Sequence, residues 1–166
     1  METMIIRKAG PDDAAALARV QTASWRDAFA DFLPSEILEA HTDFVQVEAM
    51  YRRVLQHPAV FILLGSVGGT PHCIAAWSVN RDGLAEDVAE LFCIHSLSSR
   101  WRCGYGSAMM QRVLSEMRCA AFHRAVLWVF AENRRARAFY EALGFSPDSA
   151  VRNVFGTPEL RYQKKL

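Results

Sequence analysis

One stretch, residues 89–121, constrains the fold most, because it has the pattern of a strand, a glycine-containing loop and a helix in succession. Residues 89–95 alternate between apolar and polar or small side chains, which is typical of a half-buried strand. Residues 96–106 contain two glycines and two arginines. From Ser107 onward, apolar residues recur at three- and four-residue steps, which predicts one buried helix face: Met109, Met110, Val113, Leu114, Met117 and Ala121.

This arrangement predicts a binding site for a phosphate group. The start of a helix exposes four backbone N–H groups that lack an intrahelical partner, at the positive end of the helix dipole. Gly104 and Gly106 allow the backbone to approach a ligand closely, and Arg100 and Arg102 add positive charge. An ordinary tight turn is the alternative, because a Gly-x-Gly loop alone is a weak signal.

Two common phosphate-binding motifs are excluded by the residues that follow the loop. The dinucleotide fingerprint requires a glycine at position 109, where this chain has Met109. The nucleotide P-loop requires a lysine and a hydroxyl residue directly after its last glycine, where this chain has Ser107 and Ala108. The loop therefore indicates a phosphate ligand that is bound by another motif.

A second stretch, residues 133–145 (NRRARAFYEALGF), narrows the choice of phosphate ligand. Together the two stretches resemble the GNAT superfamily of N-acetyltransferases. Residues 101–106 (WRCGYG) match the family's Arg/Gln-x-x-Gly-x-Gly/Ala loop, although Trp101 replaces the usual Arg or Gln. Glu90 matches the glutamate of the preceding strand. The later family motif is met by Asn133, Ala136, Phe139, Tyr140, Gly144 and Phe145.

The resemblance implies that acetyl-CoA is the co-substrate and that three segments bind it. In such proteins the main-chain N–H groups of the loop hold the diphosphate, a strand amide polarises the thioester carbonyl, and the second motif contacts the pantetheine arm. By family spacing, the strand amide is that of Ile94. The implied cofactor-binding residues are Ile94, His95, Ser96, Trp101, Arg102, Cys103, Gly104, Tyr105, Gly106, Ser107, Asn133 and Tyr140.

The resemblance also implies two catalytic residues. Glu90 is the candidate general base, acting through a water molecule, and Tyr140 is the candidate general acid that protonates the leaving thiolate. The alternatives are a structural carboxylate paired with an arginine for Glu90 and a core aromatic residue for Tyr140. His95 is chemically suited to act as a base, but strand alternation predicts that it lies on the face opposite Glu90 unless a bulge intervenes.

The leading functional prediction is acetyl transfer to a primary amine by direct attack in a ternary complex. Trp25, Phe29 and Trp77 are candidate acceptor-binding residues, and packing between helices is the alternative interpretation of Trp25 and Phe29. Two further functions stay open: a non-catalytic domain that senses acyl-CoA, and an enzyme that acetylates peptide or protein amines. The latter predicts an open groove between residues 25–41 and the last hairpin.

Periodicity along the whole chain predicts the element order β, helices, βββ, α, β, α, ββ. Hairpins imply antiparallel pairing, and the strand–helix–strand unit between residues 90 and 130 implies a parallel pair. The predicted fold class is therefore α/β (α+β), with a mixed, mostly antiparallel sheet of six to seven strands flanked by helices. The resemblance implies that the parallel pair is splayed. Residues 1–166 are predicted to form a single domain.

The composition of the chain restricts the classes of partner that the protein is expected to bind. A net charge of +1 argues against a nucleic-acid binder driven by bulk charge. No apolar run approaches the ~20 residues that a membrane span needs, so no membrane partner is expected. The four cysteines form no C-x-x-C pair, which argues against a metal site or a disulfide framework and fits a cytoplasmic location. The resemblance leaves a homodimer open.

Overall fold

The protein is described by a computed structural model that covers residues 2–166. Its helices and strands follow in the predicted order: β1 (Met4–Lys8), α1 (Ala14–Phe29), α2 (Ser35–His41), α3 (Phe44–Val54), β2 (Phe61–Val67), β3 (Thr70–Val79), β4 (Val88–Ser96), α4 (Tyr105–Cys119), β5 (Arg124–Phe130), α5 (Arg134–Ala142), β6 (Ser146–Val154) and β7 (Thr157–Lys165). Short 3₁₀ turns precede α1 and follow β4.

Across residues 2–166 the strands form one seven-stranded sheet in the order β1-β2-β3-β4-β5-β7-β6. The pair formed by β4 and β5 is parallel, and the other neighbouring strands in this order are antiparallel. The prediction of a mixed, mostly antiparallel sheet with one parallel pair is therefore confirmed.

Helices cover both faces of the sheet. On one face, α4 buries the side chains that its periodicity predicted, including Met109 and Met117, against Ala75 and Leu127 of the strands, and α5 packs beside it. On the other face, α1 and α3 bury a second cluster that includes Leu17. Burial of a large aliphatic side chain of this kind stabilises the fold by about 1.5–3 kcal/mol.

The parallel pair is splayed. Residues 88–91 of β4 pair with residues 124–127 of β5. Beyond this point β4 continues to Ser96 and β5 to Phe130, and the structure gives no pairing between those segments. A gap therefore opens between two strands in the middle of the sheet, and the unpaired edge of β4 faces it.

Helix α1 continues through the aromatic segment of the chain and ends at Phe29. Trp25 and Phe29 are four residues apart, so they lie on one helix face, and their ring centroids are 5.0 Å apart. The aromatic segment thus extends the helix towards the splayed strands.

Membrane-spanning helices and clusters of metal-binding side chains are both absent from the described part of the chain. None of its helices is both long enough and apolar enough to cross a membrane. Its His, Cys, Asp and Glu side chains form no group of three that could hold a metal ion.

Candidate active site

A cavity of about 1050 Å³ lies at the gap between β4 and β5. Its walls come from α1, α3, the second half of β4, the loop at residues 100–107, the end of β5, α5 and the turn between β6 and β7 with the adjoining strand ends. Pockets for small molecules usually measure roughly 300–1,000 Å³, so this cavity is large enough for two reacting groups.

The loop before α4 presents a row of unpaired main-chain amides. Arg102 and Gly104 have left-handed backbone angles, with φ of 63° and 81°, and α4 begins at Tyr105. Within residues 2–166, no acceptor receives a hydrogen bond from the N–H groups of residues 102–107. A Cβ added at Gly104 would meet no atom within 4 Å. The loop therefore forms a concave, open surface of donors that suits an anion.

The structure brings the predicted cofactor-binding residues together around this loop. All of them line the cavity except Cys103. The thiol of Cys103 instead lies 3.7 Å from the carbonyl oxygen of Trp101. The strand residues Ile94 and Ser96 line the wall nearest the unpaired edge of β4.

Trp101, which replaces the usual Arg or Gln, holds an arginine from another element. Its indole Nε1 donates a hydrogen bond to the carbonyl oxygen of Ser96, at 3.0 Å. The guanidinium carbon of Arg135, on α5, lies 3.1 Å from the centroid of the Trp101 ring, within the range of a cation–π contact. Both side chains line the cavity. The positive charge that Trp101 lacks is thus supplied beside it by Arg135, which the sequence analysis missed.

Helix α5 positions two predicted residues. The side chain of Asn133 accepts a hydrogen bond from the amide of Ala136, at 3.1 Å, so Asn133 is the N-cap of α5. Tyr140 lies two turns further on and is 8% exposed. Its hydroxyl makes no hydrogen bond within the described chain, and burial raises its pKa above the usual value. The hydroxyl is therefore protonated at neutral pH, as a proton donor must be.

A bulge in β4 changes which side chains share a face. Leu91 pairs with Trp77 and Cys93 pairs with Ala76, which leaves Phe92 as an extra residue. Glu90 before the bulge and His95 after it therefore lie on the same face of the sheet, the one that α1 covers. Regular strand alternation would separate the two residues, but the bulge, the exception that the sequence analysis left open, interrupts it.

His95 contacts α1 on one wall of the cavity. The indole of Trp25 donates a hydrogen bond from Nε1 to Nε2 of His95, at 3.4 Å. Burial lowers the pKa of His95 to about 4, so the ring is neutral at neutral pH. Because Nε2 already accepts a hydrogen bond, this nitrogen is poorly placed to take a proton from a substrate.

Glu90 lies outside the lining of the cavity. It is 1% exposed, and Arg81 binds both of its carboxylate oxygens, with the shortest contact at 2.7 Å. The main-chain amide of Arg81 adds a third hydrogen bond, at 3.0 Å. The guanidinium of Arg81 also lies 4.1 Å from the ring centroid of Phe92, which does line the cavity. Glu90 thus has the geometry of the structural alternative, an arginine-paired carboxylate that steadies the bulge.

The three predicted acceptor-binding aromatics are separated by the fold. Trp25 and Phe29 line the cavity, on the side of the sheet that α1 covers. Trp77 does not: it is 1% exposed and stacks on Phe61, with ring centroids 4.3 Å apart. Trp77 therefore belongs to the core between the sheet and α4.

Several residues that line the cavity beside Trp25 and Phe29 could not be identified from the sequence. Besides Trp25 and Phe29, its walls include Trp128, Phe130, Val154, Phe155 and Glu159. These residues come from β5 and the last hairpin, far from either motif in the sequence. The aromatic content of the β5 segment was visible in the sequence, but nothing local indicated that β7 places Glu159 beside it.

Comparisons with known proteins agree with this geometry. The sequence profile of the acetyltransferase (GNAT) family matches residues 21–145. The chain is 44% identical over 55 residues to the mycothiol acetyltransferase of Beutenbergia cavernae. That match covers 33% of this chain and only 18% of the relative.

Solved structures of similar fold extend over the whole chain. The PaiA N-acetyltransferase of Thermoplasma acidophilum, in complex with coenzyme A, has a TM-score of 0.79 at 18% identity and 99% coverage of both chains. The ribosomal-protein-alanine N-acetyltransferase of Brucella melitensis has a TM-score of 0.76 at 20% identity, covering 98% of this chain and 99% of that one. The profile match spans most of the chain and includes both the loop before α4 and the α5 motif, so this protein belongs to the acetyltransferase (GNAT) family.

Proposed function

We propose that the protein is an acetyl-CoA-dependent N-acetyltransferase that acetylates the primary amine of a small acceptor. Family membership supports the reaction class, and the coenzyme A bound to the Thermoplasma relative supports the co-substrate. One observation carries the proposal: the amides of residues 102–107, unpaired within the described chain, open into the same cavity as the hydroxyl of Tyr140.

The co-substrate binds across the starts of α4 and α5. The amides of residues 102–107 hold the diphosphate, and Arg135 adds charge from above Trp101. The pantetheine arm then follows the unpaired edge of β4 into the gap, beside Asn133. There the main-chain N–H of Ile94 polarises the thioester carbonyl, as an amide donor of an oxyanion hole does.

Transfer proceeds by direct attack of the amine on the thioester carbonyl. The C–N bond forms, the tetrahedral intermediate collapses, and the C–S bond breaks. Tyr140 protonates the departing thiolate and regains a proton from the attacking nitrogen or from solvent. Its raised pKa keeps the hydroxyl protonated until the thiolate develops.

Glu90 supports this site indirectly. Both of its oxygens are bound by Arg81, so the carboxylate holds Arg81 against Phe92 and thereby fixes the wall of the cavity at the bulge. We therefore assign Glu90 a positioning role in place of the base role inferred from its motif position. An unchanged acidic limb of the pH–rate profile in Glu90→Gln would agree with this assignment, because a general base loses its action when it is protonated at low pH.

The acceptor end favours a small molecule over a peptide. Phe155, in the turn after β6, lies 4.6 Å from His41 of α2, measured between ring centroids. His41 in turn stacks on Trp25 at 5.6 Å. Residues 25–41 and the last hairpin are therefore in contact, whereas acetylation of peptides or proteins predicts an open groove between them.

Calorimetry and turnover together test the proposal. Acetyl-CoA titrated into the protein should release heat, and NADH, which also carries a diphosphate, should bind at least about 10-fold more weakly. Release of the coenzyme A thiol should then depend on an added amine. Binding of acetyl-CoA without turnover of any amine would indicate the sensing domain, and no binding at all would refute the proposal.

A further inference from the structure

The charged side chains that line the cavity are separated by sign. Arg100, Arg102 and Arg135 lie in or against the loop at residues 100–107, which we propose binds the diphosphate and call the phosphate loop. Among the residues that the structure describes, Glu159 is the single acidic side chain of the lining. Such a cavity attracts an anionic ligand to one end and a cationic group to the other.

Glu159 is held rigidly at the end away from the phosphate loop. It lies directly opposite Phe130 of β5 and Arg152 of β6, and it is 8% exposed. Its Oε2 accepts a hydrogen bond from Nε of Arg152, at 2.6 Å. No donor in residues 2–166 binds its Oε1. One oxygen is thus fixed, and the other is open to a ligand in the cavity.

The surroundings of Glu159 are aromatic. Phe130 packs edge-on against Phe29, with ring centroids 5.3 Å apart, and both line the cavity. Strand pairing places Glu159 on the same face of the sheet as Phe130. Trp25 and Phe155 complete this wall. A carboxylate in such a setting recognises a cation that is attached to an apolar group, because the aromatic faces exclude water from the remainder of the ligand.

We propose that Glu159 binds the ammonium group of the acceptor and takes its first proton, and that the aromatic wall selects amines borne on an apolar or aromatic group. The inference rests on the proposed function, because it names the substrate class of the same site. Glu159 then replaces Glu90 as the carboxylate that faces the substrate.

The protons balance in two steps. The ammonium loses one proton to Oε1 of Glu159, which gives the neutral amine that attacks the thioester. Glu159 later releases this proton to solvent. The second proton leaves the nitrogen as the tetrahedral intermediate collapses and is matched by the proton that Tyr140 gives to the thiolate. The products are the acetamide, coenzyme A thiol and one released proton.

Two variants separate this role from a structural one. Glu159→Gln keeps the shape of the side chain but removes its charge. Arg152→Gln breaks the same ion pair and keeps the carboxylate. With 2-phenylethylamine as acceptor, we expect kcat/KM to fall about 100-fold in Glu159→Gln and at most about 5-fold in Arg152→Gln. The acidic limb of the pH–rate profile should flatten only in Glu159→Gln, and its acetyl-CoA affinity should stay within about 2-fold.

The unaltered protein provides a test that does not depend on either variant folding. We expect kcat/KM for 2-phenylethylamine to exceed that for glucosamine, a polar amine, by at least about 10-fold. Preference for glucosamine, or equal losses in Glu159→Gln and Arg152→Gln, would overturn the inference and leave the proposed function intact. If no amine at all releases coenzyme A thiol, the proposed function itself fails.

Discussion

At the scale of single residues, Tyr140 is the most direct test of the chemistry. Tyr140→Phe removes one oxygen and leaves the aromatic packing of α5 in place. We expect kcat to fall about 100- to 1,000-fold, with acetyl-CoA affinity within about 2-fold, because the hydroxyl acts on the thiolate and not on the bound thioester. Steady-state kinetics and calorimetry measure the two quantities.

Tyr162→Phe is the matched control for this experiment. Tyr162 is also buried, but its hydroxyl bonds to Arg137 and Glu141 and it does not line the cavity. Its loss should lower stability by about 1 kcal/mol and leave kcat nearly unchanged. Unchanged turnover in Tyr140→Phe would exclude Tyr140 as the general acid.

The role of a residue could be predicted where its contacts are close in sequence. It could not be predicted where strand pairing or helix packing brings distant residues together. Asn133 caps α5 through an amide three residues away, so its structural role follows from local sequence. Glu159 reaches the cavity only because β7 pairs with β5, and Arg135 only because α5 lies beside Trp101. No sequence spacing encodes either contact.

At the scale of elements, the loop before α4 predicts a difference between two similar glycines. Gly104 and Gly69 both have positive φ, 81° and 79°, and a Cβ at either would meet no atom within 4 Å. Valine at either position should therefore incur a similar backbone strain of about 1–3 kcal/mol. Only Gly104 lines the cavity, so only Gly104→Val should weaken acetyl-CoA binding, by at least about 10-fold.

Calorimetry with acetyl-CoA, together with thermal unfolding of both variants, checks this expectation. Equal Kd values for Gly104→Val and Gly69→Val would mean that the diphosphate binds elsewhere. Equal unfolding temperatures would confirm that the two substitutions differ in function and not in strain.

The bulge in β4 is a feature that the sequence pattern of the strand does not predict. The strand itself follows from its apolar alternation, but the pattern around Phe92 and Cys93 contains no glycine or proline to signal an extra residue. The interruption is visible only in the register with β3. Because it reverses the face of every later side chain, it decides that His95 meets Trp25 of α1.

At the scale of the whole molecule, the cavity exists because elements distant in sequence converge on the splayed pair. The two motifs supply the end of the cavity that we propose for the co-substrate, which is why the residues that line it could be named from the sequence. The acceptor end joins α1 to the last hairpin through His41 and Phe155. Those contacts depend on tertiary packing alone, so composition indicated aromatic residues there without indicating which of them meet.

Burial of His95 in the cavity wall makes the free energy of unfolding sensitive to acid. Burial lowers the pKa of His95 from 6.5 to about 4, so on acidification the unfolded chain takes up a proton before the folded chain does. The stability from neutral His95 is therefore complete above about pH 6.5 and is lost as pH falls towards about 4. Near pH 5 this loss should amount to about 1–2 kcal/mol of unfolding free energy.

Urea unfolding at neutral pH and near pH 5 measures that loss, and His95→Gln should remove most of it while lowering stability at neutral pH. His57→Gln is the control, because His57 is exposed beyond the end of α3 and should leave the acid sensitivity unchanged. If His95→Gln loses as much stability on acidification as the unaltered protein, His95 is not the group that links acid to unfolding. The buried His72, whose pKa burial also lowers, would then be the residue to replace.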